Sequence, residues 1–283
     1  IESCEKLFDK YPNQIACFVL EPLSFIPPTN DCLCFNNTNI CINSKSENKC
    51  SHSDNNFLKK LKKLCEKNGA VLIFDEVVSG FRFSLGGAQE LIGVKPHLSA
   101  FGKAMANGFS VSALVGQKEF MNLAGISHNQ ERVFLLSTTH GGETHSIAAA
   151  ITCINYIKDN NIIDHFWKIG KYLMDGINNI SNELDCKHLI NVSGYSVKPS
   201  ISFNDFSGNI SQVSRTLFLQ ETIKNGILMP YIVPSYAHKQ KHIDMVVDSI
   251  GNALKKIKNA KNNEGLKKMI NGDIVKPVFR KYN

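Results

Sequence analysis

Short apolar runs alternate with amphipathic segments over the first 158 residues of the chain. The runs have the length of β-strands and lie at residues 15–20, 70–74, 98–101 and 111–115. Continuous apolar runs of this kind are typical of a parallel sheet that is covered on both faces. The pattern therefore predicts buried strands, including one at 15–20.

Helical spacing separates these runs. Apolar residues recur every three or four positions from 57 to 65, and Asn68-Gly69 supplies a helix stop. Residues 146–158 and 162–177 form two further helical segments. Strands and helices in alternation predict an α/β domain with a mostly parallel sheet.

After residue 158 the pattern changes. Strand-like pieces and helical segments lie at residues 189–192, 200–203, 212–225 and 242–258. Gly226 stands where the first of these helices should stop. This order predicts a smaller α+β domain over residues 159–283, which follows an α/β domain over residues 1–158.

Residues 27–55 have a different composition, rich in Asn, Ser, Thr, Cys and Lys, and are too polar to build a core. We expect a polar insertion loop here. Four of the nine cysteines fall in this stretch, together with a histidine: Cys32, Cys34, Cys41, Cys50 and His52. A metal site is conceivable, but the spacing does not repeat a C-x-x-C pair, which favours incidental thiols and no metal.

Composition excludes some classes of function. Of the 283 residues, 43% are hydrophobic and 20% charged, and the formal net charge is +7. The lysines are scattered or lie on short helical faces without interleaved aromatic residues, which argues against nucleic-acid binding. No apolar run approaches the ~18 residues of a membrane span. An odd number of cysteines without a disulfide framework favours a cytoplasmic protein.

Asp75 directly follows an apolar strand. In a parallel α/β sheet, polar residues at the carboxyl ends of buried strands face the ligand crevice. A buried carboxylate needs a cationic partner, and a protonated ring nitrogen of a ligand would be one. A helix cap or a structural ion pair would explain Asp75 equally well.

Lys103 follows the next predicted strand, after Phe101-Gly102. Its apolar surroundings predict a partly desolvated amine, the kind that serves as a Schiff-base nucleophile. Gly102 would let the backbone pass close to a ligand. A lone lysine is more often solvated and without a chemical role.

Hydroxyl groups and glycines gather just before a predicted helix, in Ser137-Thr138-Thr139-His140-Gly141-Gly142. Hydroxyl donors, exposed amides and a helix start together suit a phosphate group. An ordinary glycine-rich turn has the same composition.

Together, these segments resemble a known family. Residues 72–82 resemble the D-E-V-x-x-G-F-R signature of the class III aminotransferases, particularly their glutamate-1-semialdehyde aminomutase-like branch. Lys103 lies 28 residues after Asp75, as the family pattern requires. Further matching segments are Gly86-Gly87-Ala88-Gln89, Val94-Lys95-Pro96, residues 137–143, Ala237-His238 and Ile243-Asp244.

The resemblance implies a pyridoxal-phosphate (PLP) enzyme of type I fold. Residues 1–158 would be the C-terminal half of its large domain, and 159–283 its small domain. Because the chain begins at Ile1 and lacks the other half of the large domain, we expect a C-terminal fragment of a longer protein. The family also implies an obligate homodimer with its active sites at the subunit interface.

Site roles follow from the same resemblance. Asp75 pairs with the pyridine nitrogen, and Lys103 carries the cofactor as a Schiff base. Val77 packs against the ring face, and Thr139 binds the phosphate, typically that of the neighbouring subunit. Glu21, in the E-P motif, is a weaker candidate for supporting the site.

The expected reaction is amino transfer from a small-molecule amino donor to a carbonyl acceptor. Some positions depart from the aminomutase pattern. The E-P motif is followed by Leu23-Ser24 instead of Gly-Asn, and Pro96-His97-Leu98 replaces P-D-L. Two alternatives stay open: glutamate-1-semialdehyde 2,1-aminomutase activity, and a non-catalytic fragment that acts as a dimerisation scaffold.

Overall fold

The computed structural model describes residues 1–23, 33–34, 41–42, 57–131, 133, 139 and 141–276. Two compact units divide the chain, Ile1–Ile163 and Asp164–Asn283.

The N-terminal unit alternates helices and strands. Its elements are α1 (Glu2–Lys10), β1 (Cys17–Leu20), β2 (Leu33–Cys34), β3 (Cys41–Ile42), α2 (Phe57–Lys67), β4 (Val71–Asp75), α3 (Ala88–Ile92), β5 (Leu98–Phe101), β6 (Ala113–Gly116), α4 (Lys118–Met121) and α5 (Thr144–Asp159). The helix α1 has no counterpart in the sequence prediction.

Four strands form the main sheet in the order β1-β4-β5-β6. The β1–β4 and β4–β5 pairs are parallel, and the β5–β6 pair is antiparallel. The prediction of a mostly parallel sheet is confirmed. In the register of β4 and β5, Asp75 lies opposite Ala100.

The strand predicted at residues 15–20 is β1. In the described part of the chain β1 pairs with β4 alone, and Val19 is 57% exposed, so the predicted burial is not seen within this chain.

The helix α2 buries one face against the unit's core, through Leu58, Leu61 and Cys65. It ends where the sequence predicts, at Asn68 and Gly69. Gly69 has a φ of +65°, a backbone conformation that glycine adopts without strain. The amide of Ala70 then donates to the Cys65 carbonyl at 2.9 Å and leads the chain into β4.

The C-terminal unit packs helices on a two-stranded hairpin. Its elements are α6 (Ile162–Glu183), β7 (Ile190–Tyr195), β8 (Lys198–Phe203), α7 (Gln212–Lys224), α8 (Gln240–Asn259) and α9 (Asn263–Lys268). Its core includes Leu173, Ile177, Leu217, Phe218, Ile250 and Leu254. Gly226, with a φ of +78°, follows the end of α7 as predicted.

Most of the polar insertion at 27–55 lies outside the described residues. Within the insertion, β2 and β3 pair as antiparallel strands. Across the described residues, no helix is both long and apolar enough to cross a membrane.

Candidate active site

Asp75 and Lys103 lie at the same edge of the main sheet. Asp75 is the last residue of β4, and Lys103 follows the end of the neighbouring parallel strand β5 by two residues. Glu21 follows β1, the strand on the other side of β4. The carboxyl ends of three adjacent parallel strands thus carry three of the residues singled out in the sequence.

Lys103 begins a short 3-10 turn in an unusual backbone conformation. Its φ of +42° lies in the left-handed region, which side chains other than glycine rarely adopt. Strain of this kind often marks functional positions. The turn is supported from behind, since Met105 and Ala106 pack with Ala150 of α5.

Both side chains are exposed, which corrects two expectations. The sequence predicted a partly desolvated amine at Lys103 and a buried carboxylate at Asp75. The neighbouring Phe101 is buried, whereas Lys103 is exposed on this chain.

Val77 connects the two strand ends. Its amide donates a hydrogen bond to Oδ1 of Asp75 at 3.0 Å. Its Cγ1 would lie 3.7 Å from a β-carbon added at Gly102, so the valine side chain borders the backbone just before Lys103. Val77 therefore links the end of β4 to the backbone that leads into Lys103, and the roles of Asp75, Val77 and Lys103 toward a cofactor stay predictions.

Glu76 is a residue that the sequence alone did not single out. This carboxylate is fully buried, and it accepts hydrogen bonds from the amides of Ala88 at 2.9 Å and Gln89 at 2.8 Å. The hydroxyl of Ser79 also donates to it. Burial raises the pKa of Glu76, and the charge of Asp75 adds to this, whereas the three hydrogen bonds lower it. The Gly86-Gly87-Ala88-Gln89 match was the signal that could have found this contact.

Arg82 belongs to the same loop. Burial lowers the pKa of its guanidinium to about 10. Its backbone amide donates to the Ser79 carbonyl at 3.2 Å, which helps to close the turn after Glu76.

Thr139 is placed in an exposed turn, five residues before α5 begins at Thr144. Most of its neighbours in the predicted phosphate-binding stretch lie outside the described residues. Gly142 has a φ of +70°, which fits a tight turn into the helix. The structure does not bring Thr139 into contact with Asp75 or Lys103 through any described hydrogen bond.

In the C-terminal unit, the Ala237-His238 match builds the entry to α8. Nδ1 of His238 accepts the amide of Ser235 at 3.0 Å, and Nδ1 of His242 accepts the amide of Lys239 at 3.1 Å. Burial lowers the pKa of His238, and the nearby His242 and His165 lower it further. Both histidines thus accept backbone amides and stabilise the turn that leads into α8.

The metal hypothesis at the cysteine-rich stretch falls on residues that the structure does not describe, apart from the backbone of Cys34 and Cys41. Within the described ranges, no group of histidine, cysteine, aspartate or glutamate side chains could hold a metal ion.

The sequence model of the class-III aminotransferases matches residues 43–254. The chain belongs to this family. This class III aminotransferase chain spans about half the length of the curated relatives it matches, as their coverage shows.

Two relatives illustrate the range of the family. Glutamate-1-semialdehyde 2,1-aminomutase of Wigglesworthia glossinidia brevipalpis is 28% identical over 271 residues, which cover 91% of this chain and 56% of that protein. 3-Aminobutyryl-CoA aminotransferase of Cloacimonas acidaminovorans is 33% identical over 205 residues, covering 71% of this chain and 48% of that protein.

Solved structures show the same fold. An omega-transaminase from Sphaerobacter thermophilus superposes with a TM-score of 0.73 at 21% identity, covering 91% of this chain and 56% of that one. A structure described as a transaminase with PLP bound gives a TM-score of 0.73 at 17% identity, covering 90% and 55%. The expected type I fold of PLP-dependent transferases is thereby confirmed for the part of it that this chain spans.

Proposed function

We propose that the protein containing this chain is a PLP-dependent aminotransferase that moves an amino group from a small-molecule donor to a carbonyl acceptor. The observation that carries the proposal is the register of β4 and β5. It sets Asp75 opposite Ala100, so that a carboxylate and the amine of Lys103 stand on neighbouring strand ends.

The residues present fit the cofactor. Lys103 offers a primary amine for an aldehyde carbon, and Asp75 offers a carboxylate for a protonated ring nitrogen. Val77 supplies an apolar side chain beside Gly102, just before Lys103. Both charged side chains are exposed at the sheet edge, where a ligand can reach them.

PLP, when bound, supplies an electron-accepting ring for the electrons released at the α-carbon of an amino acid. Asp75 would hold the ring nitrogen and stabilise its positive charge. Lys103 would anchor the group covalently and, once displaced by substrate, would take the α-proton at its Nζ as a general base. Thr139 would donate its hydroxyl to the phosphate. In this family, that phosphate typically belongs to the cofactor of the neighbouring subunit.

The organisation of the whole protein follows from the same proposal. Residues 1–158 would belong to the large cofactor-binding domain, and 159–283 would form the small domain. The protein would act as a homodimer in the cytoplasm. Thr139 is exposed on this chain, which fits a role across a subunit interface.

A second candidate function is glutamate-1-semialdehyde 2,1-aminomutase activity, because a relative of that name matches 91% of this chain. An aminomutase returns nitrogen to the same carbon skeleton, whereas an aminotransferase passes it to a second molecule. Labelled nitrogen in the donor distinguishes the two. Label in an added 2-oxo acid supports amino transfer, and label retained in the original skeleton supports the aminomutase.

The cofactor proposal is tested on the full-length protein titrated with PLP. We expect the absorption band of lysine-bound PLP in the wild type and in Lys95→Ala, which changes an exposed lysine of the same unit. Lys103→Ala should lose the band. An unchanged band in Lys103→Ala would refute the assignment.

A further inference from the structure

Glu76 lies next to Asp75 in the chain but points to the opposite side of the strand end. Asp75 is exposed, whereas Glu76 is fully buried. The amide of Glu76 donates to the carbonyl of Ala100 at 2.9 Å, which is the last rung between β4 and β5. The backbone of Glu76 therefore joins β4 to β5 at Ala100, three residues before Lys103.

The Glu76 carboxylate binds the start of α3. Its Oε2 accepts the amide of Ala88, and its Oε1 accepts the amide of Gln89. Neither of these two contacts involves a positively charged side chain, so the dipoles of the backbone N–H groups stabilise the carboxylate. The contact leaves little space, because a β-carbon at Gly87 would lie 2.7 Å from Oε1.

The helix α3 in turn reaches β5. Oε1 of the Gln89 side chain accepts the hydroxyl of Ser99 at 3.3 Å, and Ser99 is paired with Phe74 in the sheet. A continuous path of hydrogen bonds thus leads from Glu76 through Gln89 to Ser99. It connects the strand end that carries Asp75 with the strand that leads to Lys103.

We propose that Glu76 is a positioning residue for the Asp75 and Lys103 pair, and that its buried carboxylate holds both strand ends through α3. The inference rests on the proposed function for what the pair does. It concerns a different group, since Glu76 faces away from the site and acts only through its neighbours. Burial of an ionised group is costly unless each oxygen is satisfied, and the three donors to Glu76 provide that.

The test compares Glu76→Gln with Glu90→Gln in the full-length protein. Both changes replace a carboxylate with an amide, at the end of β4 for Glu76 and within α3 for Glu90. Glu90 is exposed, and its carboxylate accepts from Ser84 and Gly86, not from the strand ends. The glutamine amide at position 76 would present N–H donors to backbone N–H donors, so one of the two backbone contacts must break.

Two measurements are made on each variant. Hydrogen exchange without PLP reports the amides of residues 98–103, and a PLP titration reports the dissociation constant. For Glu76→Gln we expect faster exchange at 98–103 and a PLP dissociation constant raised about tenfold to a hundredfold, because small misplacements of reacting groups have effects of this size. Glu90→Gln should match the wild type in both. Equal values in the two variants would overturn the proposal.

Uniformly faster exchange across the N-terminal unit would also overturn it, because that outcome describes a general stabilising role. If Glu76→Gln does not fold, Gln89→Ala tests the same path, since it keeps the amide that binds Glu76 and removes the link to Ser99. Wild-type behaviour of Gln89→Ala would then refute the inference. Failure of the wild type to bind PLP would refute the proposed function instead, while the exchange measurement without PLP still decides the role of Glu76.

Discussion

The backbone N–H of Val77 donates a hydrogen bond to Oδ1 of Asp75 across 3.0 Å. Because the donor lies two residues after the acceptor, the carboxylate is oriented by its own turn and does not depend on a distant partner. The contact needs only an acceptor oxygen at this position. The negative charge of Asp75 is therefore available for a different purpose.

Asp75→Asn separates the charge from the turn. The asparagine keeps an acceptor for the Val77 amide, so we expect the free energy of unfolding to change by less than about 0.5 kcal/mol. Amino transfer by the full-length protein should fall by about a hundredfold or more, because the charge that stabilises a cationic ring is lost. Single-turnover kinetics and chemical denaturation provide the two measurements.

A matched control for this variant is Asp175→Asn in the C-terminal unit. Asp175 forms an exposed ion pair with Lys171 at 2.8 Å, which contributes little to stability. It should leave the rate of amino transfer unchanged. An Asp75→Asn enzyme with a wild-type rate would contradict the role of the charge.

Much of this sheet edge could be predicted from the sequence. The strands around Leu72 and Ser99 follow from apolar runs, and a polar residue after each run indicates the ligand-facing edge. The spacing between Asp75 and Lys103 matches the family pattern and so contributed to the resemblance. These signals are local, and each lies within a few residues of the group that it identifies.

Other features had no local signal. Two of the three donors to the Glu76 carboxylate are backbone amides twelve and thirteen residues away, and every residue other than proline has an amide. A glutamate beside a candidate aspartate therefore looks like a second solvent-facing charge.

His97 supplies β4 with a hydrogen-bond acceptor that the backbone of β5 does not supply. Its Nδ1 accepts the amide of Leu72 at 2.7 Å, while its own amide donates to the Leu72 carbonyl at 2.9 Å. His97→Ala would leave the Leu72 amide unsatisfied in a buried place, so we expect a loss of about 1–3 kcal/mol in the free energy of unfolding. Urea denaturation of the protein measures the loss.

His97→Asn is the control, since its side-chain oxygen can take the place of Nδ1. It should be destabilised less than His97→Ala. Equal losses in the two variants would mean that packing against the Phe120 ring, 5.7 Å away, determines the effect and the hydrogen bond does not.

Gly87 and Gly86 provide a matched pair of positions for alanine substitution. Gly87 has a φ of +84°, and an added β-carbon would lie 2.7 Å from the fixed Glu76 carboxylate. We expect Gly87→Ala to lose about 1–3 kcal/mol of stability, because strain and crowding act together. Gly86→Ala meets only the exposed Glu90 side chain, at 2.9 Å, and should cost less than about 1 kcal/mol. Thermal unfolding compares them, and the opposite order would contradict the account of the Glu76 contact.

The cysteines of the N-terminal unit should differ in reactivity. Burial raises the pKa of the Cys65 thiol to about 11, so at pH 8 only about one thiol in a thousand is ionised. Cys17 is exposed. Brief alkylation of the native protein with iodoacetamide, followed by peptide mass spectrometry, should label Cys17 and spare Cys65. The labelling of Cys65 should increase when the pH is raised toward 11, and rapid labelling at pH 8 would show that this face of α2 is not buried.

The position of the covalent bond to PLP is the most direct test of the central claim. Full-length protein loaded with PLP is reduced with sodium borohydride, which makes the lysine bond permanent, and its peptides are mapped by mass spectrometry. We predict that the added phosphopyridoxyl mass lies on Lys103. Stoichiometric modification of a different lysine, or none at all, would contradict the account.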